Sequence, residues 1–276
     1  MPGSPIAALN NPHTLTLTVD RGTLDDTFNF QLPSSWRSGN IALSGYATNS
    51  STFTFPGGAK TFQFIQANPM HVTIVPIAYT CSSGGSGTYT PHSPYAYLTD
   101  YTFRTYPVPF ILTSTHVSLS YSGPCASEQY DSGPAPTWND MGNILDLVAS
   151  AWRSDGSPDS YYYGLTPHTG MGVGAFPDPV AAGAESSELH AHEVGHNHGR
   201  PHAPGCNAAY PDPSFPYVVN VSGDLRGYIG DSAHPNYGFD IKTQAIYSYT
   251  KYTDIMGYCG PKWISDYTYK ALLAYD

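Results

Sequence analysis

Charge is scarce in this 276-residue chain: Asp, Glu, Lys and Arg make up 12% of it, about half the usual share of ~25%. Only 11 residues are Lys or Arg against 21 Asp or Glu, for a formal net charge of -10. No basic cluster exists that could neutralise a row of phosphates, so no nucleic-acid partner is expected. Every apolar run breaks off well before the ~20 residues that cross a bilayer, so no membrane span is expected. The four cysteines, Cys81, Cys125, Cys206 and Cys259, include no CxxC pair, which leaves out the common structural-zinc and redox motifs. There is no GxSxG and no GxxxxGK[ST], hence no sign of a nucleophile elbow or a phosphate-cradling loop. Internal repeats and low-complexity tails are absent, and the composition excludes a coiled coil. Met1-Pro2-Gly3-Ser4-Pro5 lacks the basic start and apolar run of a signal peptide, so the sequence either begins after one or lies inside a longer chain.

Glycine, proline and tyrosine are abundant instead, at 27, 25 and 23 residues, and they indicate a strand- and loop-rich chain long enough for two domains. Alternating apolar residues at Leu15/Leu17/Val19, Phe28/Phe30/Leu32, Ile41/Leu43, Phe53/Phe55 and Phe62/Phe64 predict an all-β, sandwich-like module over residues 1–66. A second domain, 67–276, begins with the run His71 to Tyr79, continuous enough to be an interior strand, and Ile111 to Tyr121 supplies another. The Gly/Ser/Tyr/Pro-rich segment 82–109 between them reads as a surface excursion. Trp138, Met141, Leu145, Val148 and Trp152 trace one helical stripe that Thr137 can cap and Gly156 can end, a packing helix.

Five of the 11 histidines crowd into Leu189-His-Ala-His-Glu-Val-Gly-His-Asn-His-Gly-Arg-Pro-His202. His192, Glu193 and His196 fall within a sector of about 100° on a helix that Ser186 or Ser187 can cap. Two imidazoles one turn apart can fill two corners of a zinc tetrahedron, and a catalytic site needs a third protein ligand. Gly199 can end the helix with positive φ and bring the chain back to His202, the third ligand candidate. His190 and His198 lie on other sides of the helix and read as ordinary polar residues.

The string HEVGHNHGRPH resembles the HExxHxxGxxH signature of the metzincin zinc peptidases, and Tyr252-Thr-Asp-Ile-Met256-Gly-Tyr258 resembles the methionine-bearing turn of that family. The likeness covers roughly residues 70 to 276. Within the family it is closest to secreted reprolysin-like or mucin-cleaving bacterial enzymes, from His202-Ala-Pro and Trp263-Ile-Ser-Asp-Tyr. The resemblance implies an α+β catalytic domain: a twisted mixed sheet, an active-site helix and a backing helix, then an irregular C-terminal half. It implies one catalytic Zn2+ on His192, His196 and His202, with Glu193 as general base, Met256 as hydrophobic floor and Tyr258 as an extra ligand or oxyanion donor. A substrate would pair with an edge strand around residues 171–176, and residues 262–267 would wall the specificity pocket.

A Cys206–Cys259 bond would fasten the third-ligand loop to the methionine turn, leaving Cys81 to Cys125. Four cysteines allow three connectivities, and free thiols or a Cys206 approaching the metal are the alternatives. Paired cysteines fit a secreted protein, and a monomer is expected. Asp155-Gly-Ser-Pro-Asp159 could hold calcium but lacks an EF-hand pattern and reads as a turn. The expected activity is a zinc endopeptidase acting on proteins or glycoproteins. The alternatives are a zinc-bearing glycan or cell-surface binding module without activity, and a zinc hydrolase of a non-peptide amide.

Overall fold

In the computed structural model, which describes residues 6–9, 20–45, 58–84, 86–126, 135–167 and 170–275, the chain divides into two units, Met1–Ala67 and Asn68–Asp276. In the first unit, β1 (Gly39–Leu43) and β2 (Lys60–Phe64) form an antiparallel pair running from Gly39↔Phe64 to Leu43↔Lys60. Both coincide with predicted alternations. The strand expected at Phe28/Phe30/Leu32 does not form, and Phe28 and Phe30 are exposed. Asn29 explains the difference: its side-chain amide donates to the carbonyls of Leu24 and Thr27 at 2.8 and 3.1 Å, a local bonding pattern that competes with strand pairing. The strands expected at Leu15/Leu17/Val19 and Phe53/Phe55 lie outside the described residues.

The second unit is mixed α+β. Its centre is β3 (Met70–Ser83), flanked by β4 (Thr88–Tyr89), β5 (Ile111–Thr115), β6 (Leu119–Ala126) and β8 (Tyr161–Leu165). β7 (Ala135–Pro136), β9 (Gly172–Gly174) and β10 (Val180–Gly183) complete an eight-stranded sheet with the path β7-β6-β3-β8-β10-β9. β5, β6 and β8 run parallel to β3, β10 runs parallel to β8, and β9 closes the path antiparallel to β10. The run Ile111 to Tyr121 is thus two strands, not one, and both pair with β3.

The period of two along the strands sorts their side chains into two layers. Val75, Ile77, Tyr79, Tyr162, Val180 and Ala182 pack with Met141, Ile144 and Val148 of α2 (Trp138–Ser154). Val72, Ile74, Tyr163, Leu165 and Ala181 pack on the other side with Ala191 and Val194 of α3 (Ser187–Asn197). Because both faces are covered, β3 is buried from Val72 to Ile77 and reads there as a nearly continuous apolar run. α2 begins in a capping box, with Thr137 and Asp140 satisfying each other's backbone N–H groups.

Segment 82–109 is no surface excursion. It contains α1 (Asp100–Thr105), and Leu98, Tyr101, Thr102, Thr105 and Tyr106 are buried. Thr102 Oγ1 shares a 2.7 Å hydrogen bond with His190 Nδ1, and the Tyr106 hydroxyl donates to the Ala191 carbonyl at 2.5 Å, so α1 docks on α3 through polar groups. A six-residue helix of aromatic and β-branched residues has neither the length nor the periodicity to declare itself in sequence. Residues 198–265 are irregular, with three two-stranded ladders, and α4 (Asp266–Leu273) follows behind its Ser265 cap. Disulfides join Cys81 to Cys125 and Cys206 to Cys259.

Ile144 is fully buried between α2 and the sheet. Ile144→Ala is expected to lower unfolding free energy by about 2–5 kcal/mol in denaturant titration; a loss below about 1 kcal/mol would contradict this layer arrangement.

Candidate metal centre

Ser186 caps α3 by accepting the Leu189 N–H at 3.2 Å. The helix stops at His198, and Gly199 follows with φ 68°, the left-handed conformation that glycine adopts without penalty. The chain then turns to His202, whose carbonyl accepts the Asp212 N–H at 2.8 Å, while the next residue, Ala203, donates to the Met256 carbonyl at 3.0 Å. The Cys206–Cys259 disulfide binds the same two segments covalently, so Cys206 is not a metal ligand.

His192, His196 and His202 come together from this arrangement, and one nitrogen of each lies within 4.8 Å of the other two. Every Nδ1 faces a backbone carbonyl: His192 that of Ile255 at 2.9 Å, His196 that of Arg200 at 2.7 Å, His202 that of Ala209 at 2.5 Å. A carbonyl only accepts, so each Nδ1 carries a proton, and in the neutral ring Nε2 is then a lone pair. The Nε2 atoms of His196 and His202 stand 3.1 Å apart. Two lone pairs facing at this distance repel unless a cation joins them, and the spacing is close to the about 3.3 Å between donors on a tetrahedral ion bound at ~2.0–2.1 Å. Burial lowers the His192 pKa to about 3 and the His196 pKa to about 4, which keeps both imidazoles in the neutral, metal-competent form. The three histidines fit a metal ion.

Glu193 is buried beside them. Burial raises its pKa to about 8 against an opposing effect of the Lys262 charge, and a cation in the cluster would favour its carboxylate. Strand β9 lies directly over this residue. A Cβ added at Gly172 would meet the Glu193 carboxyl carbon at 2.7 Å, and one at Gly174 would meet the Glu193 carbonyl oxygen and His196 Cβ, the latter at 2.8 Å. The strand expected around residues 171–176 is present as β9. The structure makes two of its glycines a condition of strand and helix meeting at all.

Met256 is buried and packs on Gly195, where an added Cβ would meet its sulfur, and its backbone N–H donates to the buried Asp254 carboxylate at 2.8 Å. Tyr258 is about half exposed, with its ring 4.8 Å from and edge-on to that of His202. A cleft of about 380 Å³ opens over Glu193, His196 and His202, with Tyr258, Trp138 and Phe176 at its walls.

Two other expectations change. Trp138 does not continue the packing stripe of α2: it is 60% exposed and lines the cleft. Residues 262–267 are committed elsewhere, Lys262 to Glu188 at 2.9 Å and Tyr267 to Asp212 at 2.8 Å, and none of them lines this cleft. His190 and His198 stand outside the cluster, as expected. His198 donates from Nδ1 to the Val194 carbonyl and accepts from the Tyr161 hydroxyl at 3.0 Å. Asp155 accepts from the Tyr162 hydroxyl at 2.7 Å in the turn considered for calcium.

A methyl group at position 174 should force β9 off the helix. Gly174→Ala is expected to cost about 1–3 kcal/mol of stability and to speed hydrogen exchange across residues 172–174; unchanged exchange there would contradict the close approach.

Comparisons with protein-family models, curated proteins and solved structures yield no match for this chain, so its functional reading rests on the residues of this centre.

Proposed function

We propose that this protein is a secreted zinc-dependent endopeptidase of metzincin type. The observation that carries the reading is the set of three Nδ1-tethered imidazoles converging beside the buried carboxylate of Glu193 under an edge strand. Three histidines with a cleft on one side are the donor set of a catalytic zinc site, which leaves a position for water or substrate. Zinc bound there would polarise a substrate carbonyl and lower the pKa of water to about 7.

The rest of the chemistry belongs to the chain. Glu193 takes the proton of the attacking water and delivers it to the leaving amine. Its side chain lies against Gly172 of β9 and borders the cleft. Met256 supports the histidines from below through its contact with Gly195. Tyr258, edge-on to His202 at the cleft wall, donates its hydroxyl to the oxygen that gains charge. Strand β9 receives the substrate main chain. The two disulfides fit an extracellular location.

Glu193→Gln should retain zinc, one per chain, and lose about 10²- to 10⁴-fold in kcat towards unfolded protein or peptide substrates. Chelation should abolish wild-type cleavage and zinc should restore it. Undiminished cleavage by the variant would refute the mechanism. Stoichiometric zinc without cleavage of a protein, peptide or glycoprotein would turn the assignment to a binding module, and cleavage confined to non-peptide amides would turn it to an amidase.

A further inference from the structure

The edge of β9 carries more information than its position. Among the described residues it pairs only with β10, in the register Gly172↔Gly183, Val173↔Ala182 and Gly174↔Ala181. Ala175 donates its N–H to the Val180 carbonyl at 3.0 Å. In an antiparallel pair, backbone groups alternate in direction along the strand. Ala175 and Val173 therefore point towards β10, and the N–H and C=O groups of Gly172 and Gly174 point towards the open edge. The side chains alternate as well: positions 172, 174 and 176 face α3, where Phe176 approaches Gly199, while Met171, Val173 and Ala175 pack with the α2 layer.

An extended peptide bonded to Gly172 and Gly174 must share this alternation, because directly opposed residues in a sheet project to the same face. The residues opposite Gly172 and Gly174 face Glu193, His196 and His202. The residue between them, opposite Val173, faces the α2 side. There it meets Trp138, whose indole lines the cleft together with Val173. Trp138 is the first residue of α2, its backbone is fixed by the Thr137–Asp140 capping box, and its side chain is 60% exposed. The result is an anchored indole face with its apolar area uncovered, and an aromatic or large aliphatic side chain is the complement that buries it.

We propose that Trp138 and Val173 form a specificity subsite for one large apolar or aromatic substrate side chain, at the α2 side of the cleft and out of phase with the residues that face the metal centre. This rests on the peptidase reading for its catalytic consequence, but the subsite itself is a binding site.

The test scans Ala, Leu and Phe through each position of an otherwise fixed quenched-fluorescence peptide. The zinc-loaded wild type, Trp138→Ala and Trp138→Phe are compared by kcat/KM, and the Glu193→Gln protein, alone and combined with Trp138→Ala, is compared by Kd for the same peptides. Zinc content and far-UV circular dichroism check that each variant is folded and loaded. At one position the wild type should prefer Phe over Ala by tenfold or more; this ratio should fall towards one in Trp138→Ala and return in Trp138→Phe, with the same pattern in Kd. A ratio that survives Trp138→Ala, or a loss spread evenly over all positions, overturns the proposal while leaving the peptidase reading intact. Trp138-dependent binding without any wild-type cleavage supports the subsite and removes the peptidase reading. Neither cleavage nor binding removes both.

Discussion

Each imidazole of the cluster is held by one hydrogen bond, from its Nδ1 to a backbone carbonyl, and the rest of the second unit is arranged around these three bonds. Two of the rings ride on one helix, but their acceptors do not: the Ile255 carbonyl belongs to the methionine turn, that of Arg200 to the chain just after the helix, and that of Ala209 to the loop beyond His202. A helix alone would leave the rings free to rotate and either nitrogen free to carry the proton. The tethers select one tautomer and aim three lone pairs at one point, which outer-shell partners of metal-binding histidines commonly do.

The irregular C-terminal half supplies these acceptors: the carbonyls of Arg200, Ala209 and Ile255 point at the imidazoles and not along a ladder. Its order comes from specific links. The buried Asp254 accepts from the backbone N–H groups of Met256 and Ser265, fixing the methionine turn to the start of α4. The Cys206–Cys259 disulfide closes a span of 53 residues, for which chain entropy alone gives about 4 kcal/mol of stabilisation. Arg200 and Asp212, whose backbones hold His196 and His202, also face each other as an ion pair at 3.7 Å.

Much of this was legible in the sequence because it is local. The His192–His196 spacing, the Ser186 cap, the glycine after the helix and the Thr137 cap all act within a few residues, and the structure contains each of them. What escaped depends on a distant partner. Trp138 fits the α2 stripe by spacing, yet it stands at the helix's first turn, at the cleft wall. Gly172 and Gly174 look like flexibility until Glu193 is placed beneath them. α1 is too short to show a period, and its burial comes from contacts with α3 that its own residues do not announce. At Phe28 to Leu32 the alternation was present, but the Asn29 amide bonds locally to the carbonyls of Leu24 and Thr27 and no strand forms there.

The convergence of three Nε2 lone pairs is the central claim, and zinc K-edge X-ray absorption of the metal-loaded protein tests it most directly. The account predicts one zinc per chain with nitrogen and oxygen neighbours only, at ~2.0–2.1 Å, and the multiple-scattering signature of three imidazoles. A sulfur shell at ~2.3 Å, fewer than three imidazoles, or a folded protein that takes up no zinc would contradict it.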